Sequence, residues 1–144
     1  MAALNVGIIG QGRSGRDIHG AYLSKDTEHF RIVATVDLLE DRRQRSAREY
    51  GCDVYADYRD LMKRTDIDLV VNATPSHLHV PVTLEFLKAG FNVLCEKPFA
   101  HCVADVNKMI AASKRSGKVL AVFQQSRYAP YFVQIQKVLA SGVL

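Results

Sequence analysis

With 144 residues, 48% of them hydrophobic and 24% charged, the chain can bury a real core and has the balance of one globular domain, not that of a disordered or fibrous protein. The net charge of +4 comes from basic residues scattered among acidic ones. Only Arg42, Arg43, Arg45 and Arg48 cluster, and Glu40, Asp41 and Glu49 beside them give the pattern of a solvated helix face, which argues against a nucleic-acid partner. The opening Met-Ala-Ala-Leu-Asn lacks a basic leader and no apolar run approaches the roughly 20 residues needed to cross a bilayer, so the expectation is a cytoplasmic protein with no membrane partner.

Apolar, β-branched runs alternate with longer amphipathic stretches along the whole chain, the mark of repeated βα units around a parallel sheet. The first strand, Asn5 to Ile9, runs into a glycine loop and a helix over Ser14 to Ser24. A second strand, Arg31 to Asp37, precedes a helix over Glu40 to Tyr50; a short third strand, Asp53 to Tyr55, precedes one over Tyr58 to Arg64. The fourth strand, Leu69 to Ala73, leads to a helix over Pro81 to Ala89, and the fifth, Asn92 to Glu96, to one over Val103 to Ser116. A sixth strand, Val119 to Phe123, is followed by a last helix, Pro130 to Ser141. Glycines 51, 90, 117 and 142 stand where these helices should end. Strands such as Leu69-Val70-Val71 are apolar without alternation, which favours a sheet covered on both faces: a doubly wound, mostly parallel six-stranded sheet of the Rossmann kind, α/β, with strand order 3-2-1-4-5-6. Cys52, Cys95 and Cys102 have neither metal-site nor disulfide-framework spacing and read as reduced, mostly buried thiols; no metal is expected.

The segment Gly10-Gln11-Gly12-Arg13-Ser14-Gly15 fits G-x-G-x-x-G at the turn from first strand to first helix. Gly10 permits the tight turn, Gly12 lets backbone approach a pyrophosphate, Gly15 lets helix and strand pack closely, and the helix start offers free N–H groups to phosphate. The second strand ends in Asp37, 22 residues beyond Gly15 (37 minus 15), where a carboxylate accepts hydrogen bonds from adenosine ribose hydroxyls and repels a 2′-phosphate. Leu38 belongs to the same edge. Arg42 and Arg43 lie close enough to accommodate a 2′-phosphate, so NAD is the expected cofactor with NADP possible. An alternative for Asp37 is a strand-end residue capping the next helix.

In a doubly wound sheet the ligand lies outside the carboxyl ends of the strands. The fourth strand there runs into Ala73-Thr74-Pro75-Ser76-His77-Leu78-His79 and the fifth into Glu96-Lys97-Pro98. With the glycine loop, Val36-Asp37, Asp66-Ile67-Asp68-Leu69-Val70 and Phe123-Gln124-Gln125-Ser126-Arg127-Tyr128-Ala129-Pro130, these segments resemble the glucose-fructose oxidoreductase and inositol 2-dehydrogenase family, Gfo/Idh/MocA, in the family's order over nearly the whole chain.

The resemblance implies an oxidoreductase that transfers hydride between NAD(P) and a sugar, cyclitol or related polyol. Lys97 would be the catalytic lysine, contacting the nicotinamide ribose and the substrate's reacting oxygen, with Glu96 holding the lysine or the cofactor in place. Pro98 would restrict the lysine's backbone. Ala73, Thr74 and Pro75 would form the turn beneath the cofactor, His79 would pack or hydrogen-bond near the nicotinamide, and His77 and Arg127 are further candidates on the cofactor side. An interdomain or surface salt bridge is the alternative for Arg127, and His19 on the first helix reads as structural. The resemblance also implies a second, substrate-binding domain missing from residues 1 to 144, so that the isolated domain would bind cofactor without efficient turnover; apolar surface that this domain would cover is expected to promote self-association into a homo-oligomer. A non-catalytic dinucleotide sensor and a methyltransferase, which uses a similar glycine loop, are the alternatives.

Overall fold

A computed structural model describes residues 2–143. Its elements in chain order are β1 (Leu4–Ile9), α1 (a wide-wound part Arg13–Gly20 and a regular turn Ala21–Leu23), β2 (Phe30–Val36), α2 (Glu40–Tyr50), β3 (Asp53–Tyr55), a 3₁₀ segment Tyr58–Lys63, β4 (Leu69–Asn72), a 3₁₀ turn Ser76–Leu78, α3 (His79–Lys88), β5 (Asn92–Glu96), α4 (Val103–Ser116), β6 (Leu120–Phe123), a 3₁₀ turn Gln125–Tyr128 and α5 (Pro130–Ala140). Six parallel strands form one sheet in the order β3-β2-β1-β4-β5-β6, as the sequence pattern predicts.

The period of two along the strands divides the core into two layers, with β2 changing face between Ile32 and Ala34, where its register with β1 shifts by one residue. Val6, Ile8 and Val71 face α1, with Leu23 and Ile32. Ile9, Ala34, Val70 and Val93 face the opposite side, where Val82, Phe86 and Leu87 of α3 and Ala112 of α4 cover them. Because β1 and β4 are covered on both sides, Val6, Ile8, Val70 and Val71 lose all contact with water. Burial of each such side chain contributes about 1.5–3 kcal/mol. The edge is different: α5 has no buried residue, and Val119 and Val122 at β6 remain exposed.

Three expectations need correction. The first helix is wound wide: the Ala21 N–H reaches the Arg16 carbonyl, five residues back. Two glycines fall in that part, Gly15 and Gly20, and each meets a neighbour too close for a Cβ, Gly10 and Tyr50 respectively. Weak helix propensity at both positions lets packing set the winding. Second, the stretch after β3 is a 3₁₀ segment instead of an α-helix, and α3 begins at His79, two residues before Pro81. Third, only Cys95 of the three thiols is buried; Cys102 is exposed at the start of α4. Among the described residues no helix is long and apolar enough to cross a membrane.

Candidate functional site: a cleft at the carboxyl ends of the strands

β1 ends at Ile9 and the chain turns sharply at Gly10, whose φ of 90° and whose 2.5 Å gap between an added Cβ and the Ala73 carbonyl leave room for glycine alone. At Gly15 a Cβ would lie 1.7 Å from the Gly10 carbonyl oxygen, so the start of α1 sits directly on the loop. No side chain caps that start and no acidic residue occupies its first turn. The first backbone N–H groups of a helix have no partner within it, and here they are left to whatever enters the cleft.

The cleft, about 280 Å³, is lined by Gly10, Gly12, Arg13, Ser14, Asp37, Arg42, Ala73, Thr74 and Pro75. Nine positions singled out from three separated stretches of sequence thus meet at one place. A larger hollow of about 570 Å³ lies at the opposite, amino ends of the strands, among Asn5, Arg31, Asp53 and Asp66, away from all of them.

Asp37 stands at the glycine-loop end of the cleft. It is 8% exposed; its Oδ2 accepts the Gln11 N–H at 2.8 Å and its Oδ1 accepts the Leu39 N–H at 2.9 Å, while Arg42 stands 3.4 Å from Oδ2. The carboxylate therefore ties the glycine loop to the entry of α2. Gln11 faces inward: its side chain is 1% exposed and its Oε1 accepts from the Ser46 hydroxyl at 3.1 Å, leaving only its backbone at the loop. Leu38 stands 85% exposed next to Asp37.

The arginine cluster departs from the solvated face read from the sequence. Arg43 donates to the carbonyls of Asp37 and Leu38 at 2.8 and 2.7 Å, and Arg45 donates to the Gln11 carbonyl at 2.8 Å. With Arg42 these half-buried side chains brace the loop from α2; Arg48 alone is exposed. The positions 42 and 45, one helical turn apart, were the available signal.

Behind the Ala73–Pro75 wall of the cleft lies a buried polar network. Asn72, fully buried at the end of β4, donates to the His79 carbonyl and the Thr83 hydroxyl, both at 3.1 Å, and accepts from the Thr74 hydroxyl at 2.7 Å. His79, 2% exposed, places Nδ1 2.7 Å from the Pro98 carbonyl and Nε2 2.9 Å from the Thr74 carbonyl. Both partners are acceptors, so each contact is made by whichever ring nitrogen carries a proton. The ring joins the turn after β4 to the segment after β5. Asn72 stands in the sequence as a polar residue at the end of the fourth strand but not as a site candidate; an amide at a strand end gives no sign of its partners.

Lys97 and Pro98 stand exposed just beyond β5, joined by a cis peptide bond. The Lys97 N–H donates to Glu96 Oε2 at 3.0 Å, and Glu96 Oε1 accepts from His19 Nε2 at 3.0 Å in a pair whose side chains are each 4% exposed. Burial holds the His19 imidazole below its usual pKa, the hydrogen bond it donates to the Glu96 carboxylate opposing that shift in part. His77 is exposed on the 3₁₀ turn after β4, and Arg127, exposed beyond β6, makes no ion pair among the described residues. Among the described residues there is no cluster of potential metal ligands.

Comparisons with known proteins agree with this architecture. Residues 4–124 match the Gfo/Idh/MocA profile, described as an oxidoreductase family with an NAD-binding Rossmann fold. Inositol 2-dehydrogenase of Salmonella typhimurium is 31% identical over 142 residues, covering 96% of this chain and 42% of the relative. The WlbA dehydrogenase of Chromobacterium violaceum, solved with NADH and UDP-GlcNAcA, superposes with a TM-score of 0.90 at 26% identity over 98% of this chain and 41% of that one. Myo-inositol 2-dehydrogenase of Lactobacillus plantarum gives a TM-score of 0.86 at 26% identity, covering 97% and 42%. The chain thus spans about two fifths of the length of the relatives it matches.

Proposed function

The chain belongs to the Gfo/Idh/MocA oxidoreductase family, as its NAD-binding Rossmann domain, and from that premise we propose that it serves a dehydrogenase acting on a sugar, cyclitol or related polyol. The observation that carries the proposal is the uncapped start of α1 in the same cleft as the Asp37 carboxylate.

That arrangement fits a dinucleotide. Gly10 and Gly15 let backbone close on the cleft without a Cβ in the way, the first N–H groups of α1 face a diphosphate, and Asp37 accepts hydrogen bonds from the adenosine ribose. Arg43 is held on two carbonyls and Arg42 leans on Asp37, so a 2′-phosphate would have to displace existing contacts, which favours NAD over NADP. Bound NAD supplies the acceptor carbon for hydride. The part of this chain's residues is to bind, orient and polarise: Thr74, Pro75 and His79 support the nicotinamide end, and the Lys97 ammonium meets the substrate's reacting oxygen, stabilising negative charge that develops there. Gln11 and Gly15 shape the loop, while Leu38, His77 and Arg127 flank the bound molecule.

The experiment is calorimetric titration of the chain with NADH and NADPH. We expect NADH to bind more tightly; absence of binding by either to folded protein would sink the proposal. In a protein that also carries the remaining length of the relatives, Lys97→Ala should lower kcat by roughly 10²-fold or more, the scale of a lost preorganised charge.

A further inference from the structure

The buried contact between His19 and Glu96 plays no part in the steps above. It joins two elements far apart in sequence, the wide-wound part of α1 and the end of β5. A carboxylate withdrawn from water must be met by donors or it costs several kcal/mol. Glu96 has two: the His19 ring on Oε1 and the Lys97 backbone N–H on Oε2, each at 3.0 Å. The His19 ring is itself wedged against Phe123 at the end of β6, with ring centroids 4.5 Å apart. On the other side of Lys97 the Pro98 carbonyl is fixed by His79 at 2.7 Å. The backbone of Lys97 is therefore held before and after, and the hold in front runs through His19.

We infer that His19 is a positioning residue for Lys97: through the Glu96 carboxylate it sets where the lysine backbone, and with it the ammonium, stands relative to the nicotinamide end of the cofactor. The inference rests on the reading of Lys97 as the residue that meets the nicotinamide ribose. It makes α1 the element shared by both ends of the dinucleotide. Its first turn faces the diphosphate, and its buried His19 orients the lysine that meets the far ribose.

The test compares NADH with ADP, which lacks the nicotinamide riboside, in calorimetric titrations of the chain. His19→Leu keeps apolar volume beside Phe123 but removes the N–H; His19→Gln returns an N–H at similar reach. The expected result is an NADH affinity about tenfold lower in the Leu variant with ADP affinity changed less than about twofold, and an NADH affinity within about threefold of wild type in the Gln variant, the scale of one charge-assisted hydrogen bond. In a Lys97→Ala background His19→Leu should change NADH affinity by less than about twofold, since the two act in series. Equal weakening of NADH and ADP, or a full effect that persists without Lys97, would overturn the inference and leave the cofactor reading standing. Should the Leu variant fail to fold, His19→Asn decides, because its N–H falls a methylene short of Gln: equal NADH affinities for Asn and Gln would overturn the inference, and a selective loss in Asn supports it. A wild-type chain that binds neither nucleotide would remove the cofactor reading and this inference together, a result visible before any variant is made.

Discussion

At the glycine-loop end of the cleft the backbone makes the surface and half-buried arginines brace it, whereas at the β4–β5 end the chain is tied by side chains that water scarcely reaches. At the first end no side chain caps the start of α1, and at the second the carbonyls and amides are already paired. An anion can be received without rearrangement where donors are free, and a reacting group can be held still only where its supports are satisfied. On the proposed reading, binding and positioning are divided between two kinds of construction, and α1 belongs to both.

The division can be broken most severely at the backbone. Gly15→Val would put side-chain carbon where the Gly10 carbonyl lies, 1.7 Å from a Cβ, and separate α1 from β1. We expect a loss of about 3 kcal/mol or more, read as loss of a cooperative thermal transition, together with loss of NADH binding. His79→Leu attacks the other end. It takes away the ring that bridges the Thr74 and Pro98 carbonyls, and urea denaturation should register a loss of about 2–4 kcal/mol.

A milder change sharpens the contrast. Asp37→Ser removes the acceptor for the ribose while a short hydroxyl remains to meet the loop, so NADH affinity should fall by about ten- to a hundredfold and NADPH affinity by less, measured by calorimetry. The smallest effect is in pH. Since burial holds the folded His19 pKa below its usual value of 6.5, the unfolded chain takes up the proton first. The stability contributed by neutral His19 is fully present above pH 6.5 and is lost as pH falls from there through the lower folded value. Denaturant midpoints from pH 5 to 8 should therefore decline on the acid side, and His19→Gln should flatten that part of the curve. An unchanged slope in the variant would assign the decline to other groups.

Much of the fold was open to reading because its signals are local. A parallel strand covered on both faces must be apolar throughout, as Leu69-Val70-Val71 is, and a tight turn against Ala73 needs a glycine, as at Gly10. The winding of α1 was not legible, since Gly15 and Gly20 have little preference of their own and contacts with Gly10 and Tyr50 set the geometry. The arginines of α2 were misread for a related reason. Their composition matches a solvated face, and only the placement of α2 beside the loop turns Arg43 and Arg45 onto carbonyls.

The amino-acid sequence by itself determined the βα alternation, the strand order expected of it, the glycine loop and the acidic residue that faces it, because each follows from spacing along a chain with fixed periods of two and 3.6 residues. Only the tertiary structure decided that His19 meets Glu96 across 77 positions and that His79 spans Thr74 and Pro98. Hydrogen bonds act over about 3 Å, and which donors come that close is settled by the packing of helices on the sheet, not by distance along the sequence.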